Sequence, residues 1–331
     1  MSLRAPGRGI APVDLRPFIG ESVAVRQVRE MARHVAAKNV TVLVNGESGT
    51  GKEVLARYLH TYSTRADRPF VAINCAALPE TLVESELFGH EKGAFTGASN
   101  LKHGCFEEAN GGTLFLDEVT EIRPHIQAKL LRALQESEIQ RVGAMRPIKV
   151  DVRIIASSSR DIETCLAEGR LREDLYYRLC TVELCLSPLR ERLEDVLPLS
   201  RCFLRKYADT NGSRLVDVSP EALKLLEGYR WPGNVRELEN VIARATALAA
   251  EHEEYLQPHH LPPKLHPSPE VRRIGVVPQF GEDLVGGLHQ AVAAVKRQYV
   301  EEALRRAEGN KAKAARLLGV SRRGLYNLLD A

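Results

Sequence analysis

The chain has 331 residues, of which 44% are hydrophobic and 27% charged, with a formal net charge of +3. This composition is typical of globular proteins and allows two or three compact domains. The sequence contains no run of about 18 apolar residues, and residues 1–12 lack the apolar stretch of a signal peptide. We therefore predict a cytoplasmic protein without membrane contact. The six cysteines form no CxxC pair, which favours reduced, buried thiols over zinc ligands or disulfides.

Short segments rich in β-branched residues alternate with longer helical segments in the first half of the chain. Five of them are predicted to be buried strands, at residues 40–44, 70–74, 113–117, 150–157 and 181–186. Strands that are apolar throughout and separated by helices favour a parallel sheet covered on both faces. We therefore predict a short segment at 1–17 and an α/β core with a five-stranded parallel sheet at 18–186.

The second half of the chain is predicted to be helical. Residues 187–257 show a helical pattern with no comparable strand, which indicates a small helical subdomain. Residues 258–287 contain six prolines and four glycines, which predicts a linker. Residues 288–331 follow as a third domain, with one amphipathic helix at 288–307 and two short helices at 310–329 that are interrupted at 319–321.

A glycine-rich loop follows the first predicted strand and precedes a predicted helix. It consists of Gly46, Glu47, Ser48, Gly49, Thr50, Gly51 and Lys52. Such a loop turns its backbone N–H groups towards phosphate, and the helix N-terminus adds a positive dipole end. We predict that Lys52 neutralises the β- and γ-phosphates of a nucleotide. Glu53 occupies the position where the generic P-loop has a Ser or Thr that binds magnesium.

Small residues form a second loop, with one aromatic side chain between its glycines. The loop consists of Gly93, Ala94, Phe95, Thr96, Gly97 and Ala98. An aromatic residue at the tip of such a loop is better explained as a contact with a partner than as part of the core.

Two adjacent acids, Asp117 and Glu118, end the third predicted strand. The carboxyl end of a parallel strand lies beside the nucleotide crevice. We predict that Asp117 holds magnesium through water and that Glu118 polarises the attacking water. Adjacent acids at strand ends are also common in turns, and a glycine-rich loop can arise by chance. The two motifs together predict magnesium-dependent ATP hydrolysis.

These motifs resemble those of the sigma-54-dependent activators, also called bacterial enhancer-binding proteins. The resemblance extends from about Phe18 to Ala331, and its most specific element is the complete GAFTGA hexapeptide at 93–98. It implies an AAA+ P-loop ATPase core, a helical lid, a C-terminal helix-turn-helix and a ring of subunits, a hexamer in the family. It also implies that Phe95 and Thr96 contact sigma-54 of the RNA polymerase holoenzyme at the centre of the ring.

The resemblance assigns roles to further polar residues. Asn74 matches the asparagine that restrains the catalytic glutamate, and Arg236 matches the sensor II arginine. Arg172 and Arg178 match arginines that reach the nucleotide of a neighbouring subunit, where a guanidinium stabilises the charge of the transition state. Without the resemblance, surface ion pairs with neighbouring acids would be the simpler interpretation of these arginines.

Two features depart from the family pattern. Ser159 stands where the family has the sensor I asparagine. Its hydroxyl is shorter than an amide and lacks the second functional group, which predicts weaker coupling between hydrolysis and loop movement. In addition, about 17 residues precede Phe18, too few for the receiver or ligand-sensing domain of most family members. We expect either a regulatory protein acting in trans or a shortened chain.

The C-terminal residues have the charge expected of a DNA-binding domain. Residues 288–331 contain nine Lys or Arg against four acids, although a solvated helix face would have a similar charge. Residues 309–326 resemble a Fis-type helix-turn-helix, in which Gly319 permits the turn and Ser321 caps the second helix. The predicted DNA contacts are Lys311, Lys313, Ser321, Arg322, Arg323 and Tyr326. A helical dimerisation hairpin is the alternative.

The predicted function is ATP-dependent activation of transcription from enhancer DNA, in which closed sigma-54 polymerase is remodelled into the open complex. An AAA+ unfoldase or helicase loader is one rival, but it should have a different pore loop. A DNA-binding repressor with an inactive ATPase is the other. The intact Lys52, Asp117, Glu118 and Arg172 argue against that repressor, whereas Ser159 leaves room for it.

Overall fold

The computed structural model describes residues 18–95, 97–250, 252–266, 296–297, 299–305, 307, 310–321 and 324–325. The chain divides into two compact units, Met1–His266 and Pro267–Ala331. Among the described residues, every helix is too short or too polar to cross a bilayer.

A five-stranded parallel sheet lies at the centre of the first unit. Its strands are β1 (Val42–Asn45), β2 (Phe70–Asn74), β3 (Thr113–Asp117), β4 (Arg153–Ser158) and β5 (Val182–Cys185). They lie in the order β2-β3-β4-β1-β5, and all neighbours are parallel. Because the strands are parallel, the chain must cross a face of the sheet between one strand and the next, and helices form most of these connections. The predicted five-stranded parallel sheet is confirmed.

Helices cover both faces of this sheet. They are α1 (Val23–Ala36), α2 (Lys52–Thr61), α3 (Glu80–Phe88), α4 (Cys105–Glu108), α5 (Pro124–Glu136), α6 (Ile162–Ala167) and α7 (Glu173–Leu179). Side chains of β3 alternate between two apolar clusters, because successive residues of a strand point to opposite faces. Leu114 and Leu116 pack with residues of α3 and α5, whereas Phe115 packs with residues of α1 and α2.

The fourth strand begins later than the sequence predicts, at Arg153 instead of residue 150. Residues Ile148–Lys149 pair antiparallel with Glu138–Ile139 and so belong to a separate hairpin. The side chain of Arg153 is buried and donates to the carbonyl oxygens of Ala36, at 2.6 Å, and Val35, at 3.2 Å. Those carbonyls lie at the C-terminal end of α1, where a cation is favoured.

The lid follows the sheet and has its own apolar core. It contains α8 (Val196–Asn211), α9 (Pro220–Glu227) and α10 (Asn234–Leu248), which pack around the fully buried Trp231. The lid also contains a short parallel pair of strands that the sequence did not predict. It pairs Asp217–Val218 with Tyr255–Leu256.

The predicted linker starts too early at residue 258. Pro258–His260 and Pro263–Leu265 form 3-10 turns, and the side chains of Leu261 and Leu265 are buried in the core of the lid. The prolines misled the prediction because proline also fits 3-10 turns and their first positions. The lid therefore extends to His266, and residues 267–287 lie outside the described residues.

The described part of the second unit is helical and small. Residues 296–297 and 299–305 are helical, and α11 spans Lys311–Leu317. The side chain of Asn310 caps α11 by accepting from the backbone N–H groups of Ala312 and Lys313. Gly319 has a φ of 66° and follows the helix, a backbone conformation that glycine adopts without strain. The hydroxyl of Ser321 then accepts from the N–H of Gly324 at 3.0 Å.

Candidate functional site

A cavity of about 470 Å³ opens at the carboxyl ends of the central strands. Its walls come from the loop between β1 and α2, from the ends of β2, β3 and β4, and from α10 of the lid. The polar residues that line it include Ser48, Lys52, Glu53, Asn74, Asp117, Glu118, Ser159, Arg160, Arg236 and Glu239. The structure thus brings together the glycine-rich loop, the acids and the lid arginine that the sequence analysis singled out.

The glycine-rich loop packs closely against the lid. Gly49 has a φ of 80°, and a Cβ atom on it would collide with the carbonyl oxygen of Gly233. Glycine is therefore required here for both conformation and space. Lys52, at the start of α2, is almost fully buried, and its Nζ donates to the carbonyls of Gly46, at 2.8 Å, and Glu47, at 3.3 Å.

Two lid residues hold Glu47 of this loop. Arg190 donates to both carboxylate oxygens of Glu47 at 2.7 and 2.9 Å. The buried amide of Asn234 donates to Glu47 at 3.1 Å and to the carbonyl of Ser48 at 3.0 Å, and its oxygen accepts from the N–H of Leu189. The bonds from Arg190 and Asn234 hold the pKa of Glu47 below its ordinary value. The phosphate loop and the lid are therefore linked by charged hydrogen bonds, which are the stronger kind.

Two further arginines contact the same loop. Arg236 lines the cavity, where its guanidinium donates to the hydroxyl of Ser48 at 3.2 Å. Arg192 is fully buried, donates to the carbonyl of Thr50 at 2.9 Å and lies 3.8 Å from the carboxylate of Asp195. Arg236 is thus placed to contact a ligand in the cavity, whereas Arg192 supports the loop from within the protein.

Glu118 is held tightly from several sides. Its backbone is left-handed, with a φ of 58°, which is strained for a residue other than glycine. One carboxylate oxygen lies 3.4 Å from Lys52, and the other accepts from the N–H and hydroxyl of Ser159 at 2.9 and 2.7 Å. Burial alone would raise the pKa of Glu118, but the bonds from Ser159 and the charge of Lys52 outweigh it and lower that pKa.

Asn74 contacts Asp117 in this structure, whereas the family resemblance implies that it acts on Glu118. The amide of Asn74 donates to Asp117 at 2.8 Å, while its oxygen accepts from the N–H groups of Ala76 and Ala77. The reason is the strand register, because Asn74 and Asp117 are paired residues on adjacent strands. Glu118 lies one residue further along, where its backbone turns towards β4.

Glu53 does not replace the hydroxyl of the generic P-loop. It lies in the first turn of α2 and accepts from Arg57, one turn later, at 2.7 and 3.0 Å. Both side chains reach solvent, although Glu53 also lines the cavity.

The two arginines predicted to act in trans lie outside this cavity. Arg172 makes two bonds to Asp174, at 2.7 and 3.0 Å, on the exposed start of α7. Arg178 donates to the carbonyl of Leu134 at 2.8 and 3.2 Å. The surface ion pair that the sequence left open thus exists for Arg172. Neither arginine reaches the nucleotide site of its own chain.

The described residues of the loop at 93–98, which are 93–95 and 97–98, include one exposed ring. Gly93 and Gly97 have φ values of 82° and 108°, and the N–H of Gly93 donates to the carbonyl of Ala98 at 2.8 Å. The side chain of Phe95 is 39% exposed, and its ring packs edge-on against His90 with centroids 5.0 Å apart. Thr96 lies outside the described residues.

Arg141, which no sequence motif indicated, fixes the base of this loop. Its guanidinium donates to Glu91 at 2.8 Å and makes two bonds to Glu107, at 2.7 and 2.8 Å. The bonds from Arg141 hold the pKa of Glu107 at about 2. No signal in the sequence could have found Arg141, because its partners lie 34 and 50 residues away. Asn234, by contrast, lies two residues before the predicted Arg236.

Some of the predicted DNA-contacting residues can be located. Lys311 and Lys313 are exposed on α11, and Ser321 caps the following turn. Arg322, Arg323 and Tyr326 lie outside the described residues.

Three protein families match successive parts of the chain. The sigma-54 interaction domain matches residues 18–185, the AAA+ ATPase lid domain matches residues 190–273, and the Fis family of bacterial regulatory proteins matches residues 291–330.

Similar proteins match almost the whole chain. The transcriptional regulatory protein FlbD of Caulobacter vibrioides is 48% identical over 96% of this chain and 70% of its own length. The regulatory protein AtoC of Escherichia coli is 46% identical over 95% of this chain and 67% of its own length. The crystal structure of NtrX from Brucella abortus covers 96% of this chain and 69% of its own, with a TM-score of 0.71 and 34% identity. NtrX has also been crystallised in complex with ATP, in a structure with a TM-score of 0.68 that covers 94% of this chain and 68% of its own, at 33% identity.

Proposed function

The chain belongs to the sigma-54-dependent transcriptional activators, and from that premise we propose that it couples ATP hydrolysis to remodelling of sigma-54 RNA polymerase at promoters. The observation that carries the proposal is the cavity in which Lys52, Asp117, Glu118 and Arg236 converge. In this set, Lys52 is a cation that can bind phosphate, Asp117 is a carboxylate that can bind a metal ion, and Glu118 is a carboxylate that can polarise water.

Each residue has a distinct role in the proposed reaction. Lys52 binds the β- and γ-phosphates, and the N-terminus of α2 favours the same negative charge. Arg236 contacts the phosphates from the lid. Glu118 orients and polarises the attacking water, as an acid placed beside the γ-phosphate does in other NTPases. ATP as the nucleotide is supported by the structure of NtrX, which binds ATP.

Magnesium would be held by Asp117, because carboxylate oxygens are the ligands that this cation prefers. Asp117 fits that role since it lines the cavity and its two oxygens are oriented by Asn74 and Ser157. When bound, magnesium would neutralise charge on the phosphates. Glu53 provides no hydroxyl, so the serine or threonine ligand of the generic P-loop is absent at this position.

Arg172 and Arg178 complete the site from a neighbouring subunit. Both lie outside the cavity of their own chain, yet a loose phosphoryl-transfer transition state gains from an added guanidinium. A ring, with six subunits as in the family, places these arginines at an interface. The ion pair of Arg172 with Asp174 must then open, which is a small cost for an exposed pair.

The loop at 93–98 transmits the motion to sigma-54. Its glycines allow it to change conformation, its exposed Phe95 provides an apolar contact, and Arg141 anchors its base. The second unit binds enhancer DNA through Lys311, Lys313, Ser321, Arg322, Arg323 and Tyr326. A separate regulatory protein would control the activity of this chain in trans.

The decisive experiment replaces Thr96 with alanine and measures ATP turnover together with open-complex formation on a sigma-54 promoter. We expect Thr96→Ala to keep most of the turnover and to lose promoter opening, because the loop lies outside the cavity. Ser99→Ala is the matched control, since it removes an exposed hydroxyl just outside the hexapeptide and should change neither quantity. Promoter opening at the parental level by Thr96→Ala would contradict the sigma-54 contact.

A further inference from the structure

A second cavity, of about 170 Å³, lies at the edge of the sheet opposite the nucleotide cavity. Thr41 and Val152, which line it, directly precede the first residues of β1 and β4, whereas the nucleotide cavity opens at the carboxyl ends of the strands. We propose that this second cavity, here called the amino-end cavity, binds a small oxyanion of the phosphate class. Its volume is sufficient, because cavities of about 150 Å³ hold a ligand as large as benzene.

Arg153 is the buried cation of the amino-end cavity, and it is only 3% exposed. Two of the five N–H donors of its guanidinium bond to the carbonyl oxygens of Ala36 and Val35, and its buried Nε–H has no acceptor among the described residues. The C-terminal end of α1 offers about half a negative charge, which offsets the guanidinium charge only in part. A buried charge without a full counter-charge is costly, so a bound anion would stabilise Arg153.

No acid of the described residues supplies that counter-charge. Asp151, two residues earlier, is bonded to the guanidinium of Arg65 at 2.7 Å, and no carboxylate forms an ion pair with Arg153 in the described part of the chain. Burial, and after it the positive charge of Arg65, lower the pKa of Arg153. The surroundings of Arg153 are therefore positive, which favours an anionic ligand.

A second guanidinium and three neutral polar side chains line the same cavity. Arg178 is exposed and bonds to the carbonyl of Leu134, and its remaining N–H groups have no acceptor among the described residues. The neutral side chains are those of Asn39, Thr41 and Ser137, and none of them makes a hydrogen bond within the described part of the chain. No acid is among the described residues that form the wall. Hydrogen-bond donors thus predominate, which is the arrangement that binds oxyanions.

The charge of the wall favours phosphate over a carboxylate. Guanidinium groups match the geometry of phosphate through paired hydrogen bonds, and a phosphate dianion balances the charges of both Arg153 and Arg178. A carboxylate such as acetate balances only one of these charges. The site is separate from Lys52, because the two cavities have no described lining residue in common.

The test titrates inorganic phosphate into the nucleotide-free full chain by isothermal calorimetry at constant chloride concentration. Asn39→Asp places a negative charge at the cavity with almost no change of shape, so the affinity for phosphate should fall about tenfold or more. Gln27→Glu is the matched control, because it makes the same change on the exposed face of α1 outside the cavity, and the affinity should stay within about twofold. Arg153→Gln should abolish binding, and Asn39→Asp decides the question if Arg153→Gln does not fold.

Phosphate bound at the P-loop must be distinguished from phosphate bound in the amino-end cavity. Lys52→Ala should lose the former and retain the latter. Phosphate binding that disappears in Lys52→Ala but persists in Asn39→Asp would overturn the proposal, as would equal losses in Asn39→Asp and Gln27→Glu, or acetate that binds as tightly as phosphate. Because phosphate is titrated without nucleotide, failure of the parent chain to hydrolyse ATP would remove the proposed function and leave this result unchanged.

Discussion

Four cationic side chains that are predicted to act on the nucleotide lie in two regions, which differ in how far one chain supplies their contacts. In the nucleotide cavity, Lys52 and Arg236 face acids and loop atoms contributed by both the sheet and the lid. At α7, Arg172, which occupies the N-cap position, and Arg178 lie on the surface and donate to nearby groups, Asp174 and the carbonyl of Leu134.

This difference indicates where a second subunit is needed. Lys52 is buried, and a buried charge must be paired inside the chain because an unpaired one is costly, whereas Arg236 lines the cavity but is exposed. Exposed arginines have no such requirement and are free to exchange a weak surface contact for a phosphate. Under the proposed function, we therefore expect the cavity to bind nucleotide in one chain and full turnover to require assembly.

The largest expected effect is at the cavity. Glu118→Gln should lower kcat by about a thousandfold and leave ATP binding intact, because the amide keeps the shape but loses the basic oxygen. Lys52→Ala should instead weaken nucleotide binding. Both quantities can be measured by steady-state ATP turnover and by titration with a fluorescent analogue. Turnover at the parental rate by Glu118→Gln would show that Glu118 is not the group that activates water.

A smaller effect is expected at α7. Arg172→Ala should lower kcat by about a hundredfold, the usual loss for one charge-stabilising donor. Asp174→Asn is the matched control, since it weakens the pair but keeps the arginine, and it should retain most of the activity. Mixing Arg172→Ala with Glu118→Gln chains should restore some turnover at interfaces that combine an intact arginine with an intact glutamate. Verified mixed rings without restored activity would argue that both regions act within one chain.

The link between the phosphate loop and the lid should contribute about 2 kcal/mol to stability, because Asn234→Gly leaves several buried partners unsatisfied. Asn234 has a φ of 51°, so Asn234→Ala should cost about 1 kcal/mol more. Urea unfolding followed by the fluorescence of Trp231, the single tryptophan and a buried lid residue, measures this loss. Arg190→Ala removes an exposed pair to the same Glu47 and should lower the stability much less than Asn234→Gly does. If Asn234→Gly and Arg190→Ala lowered the free energy of unfolding equally, the buried hydrogen bonds of Asn234 would not be more stabilising than the exposed ion pair of Arg190.

The smallest effect on hydrolysis is expected from the second unit. A chain that ends at His266 should hydrolyse ATP like the parent but activate transcription only at raised concentration, since DNA binding supplies effective concentration. Fluorescence anisotropy at fixed salt can test the contacts. Arg322→Ala should weaken the preferred site by about 1 to 3 kcal/mol, whereas Lys311→Ala should weaken all sequences similarly. An unchanged preference in Arg322→Ala would argue against base contact by that residue.

The sheet and the family were predictable from local patterns. Strands such as 113–117 could be recognised because a strand buried on both faces has a continuous apolar run, here at residues 114–116. The glycine-rich loop and the hexapeptide were recognisable because the function of each depends on specific residue types at consecutive positions of the chain. The boundary of the lid was not predictable from composition, because the prolines at 262 and 263 occur in packed turns as well as in linkers.

What the sequence alone determined is thus the set of contiguous motifs, the order of the elements and the family, since each depends on neighbours along the chain. Tertiary structure alone decided the partners of the charged side chains. Asn74 bonds to Asp117, 43 residues away, because of strand register. Arg190 bonds to Glu47, 143 residues away, because the lid packs on the phosphate loop. A hydrogen bond depends on distance in space to within a fraction of an ångström, and the sequence contains no such distances until the strands and the lid have packed.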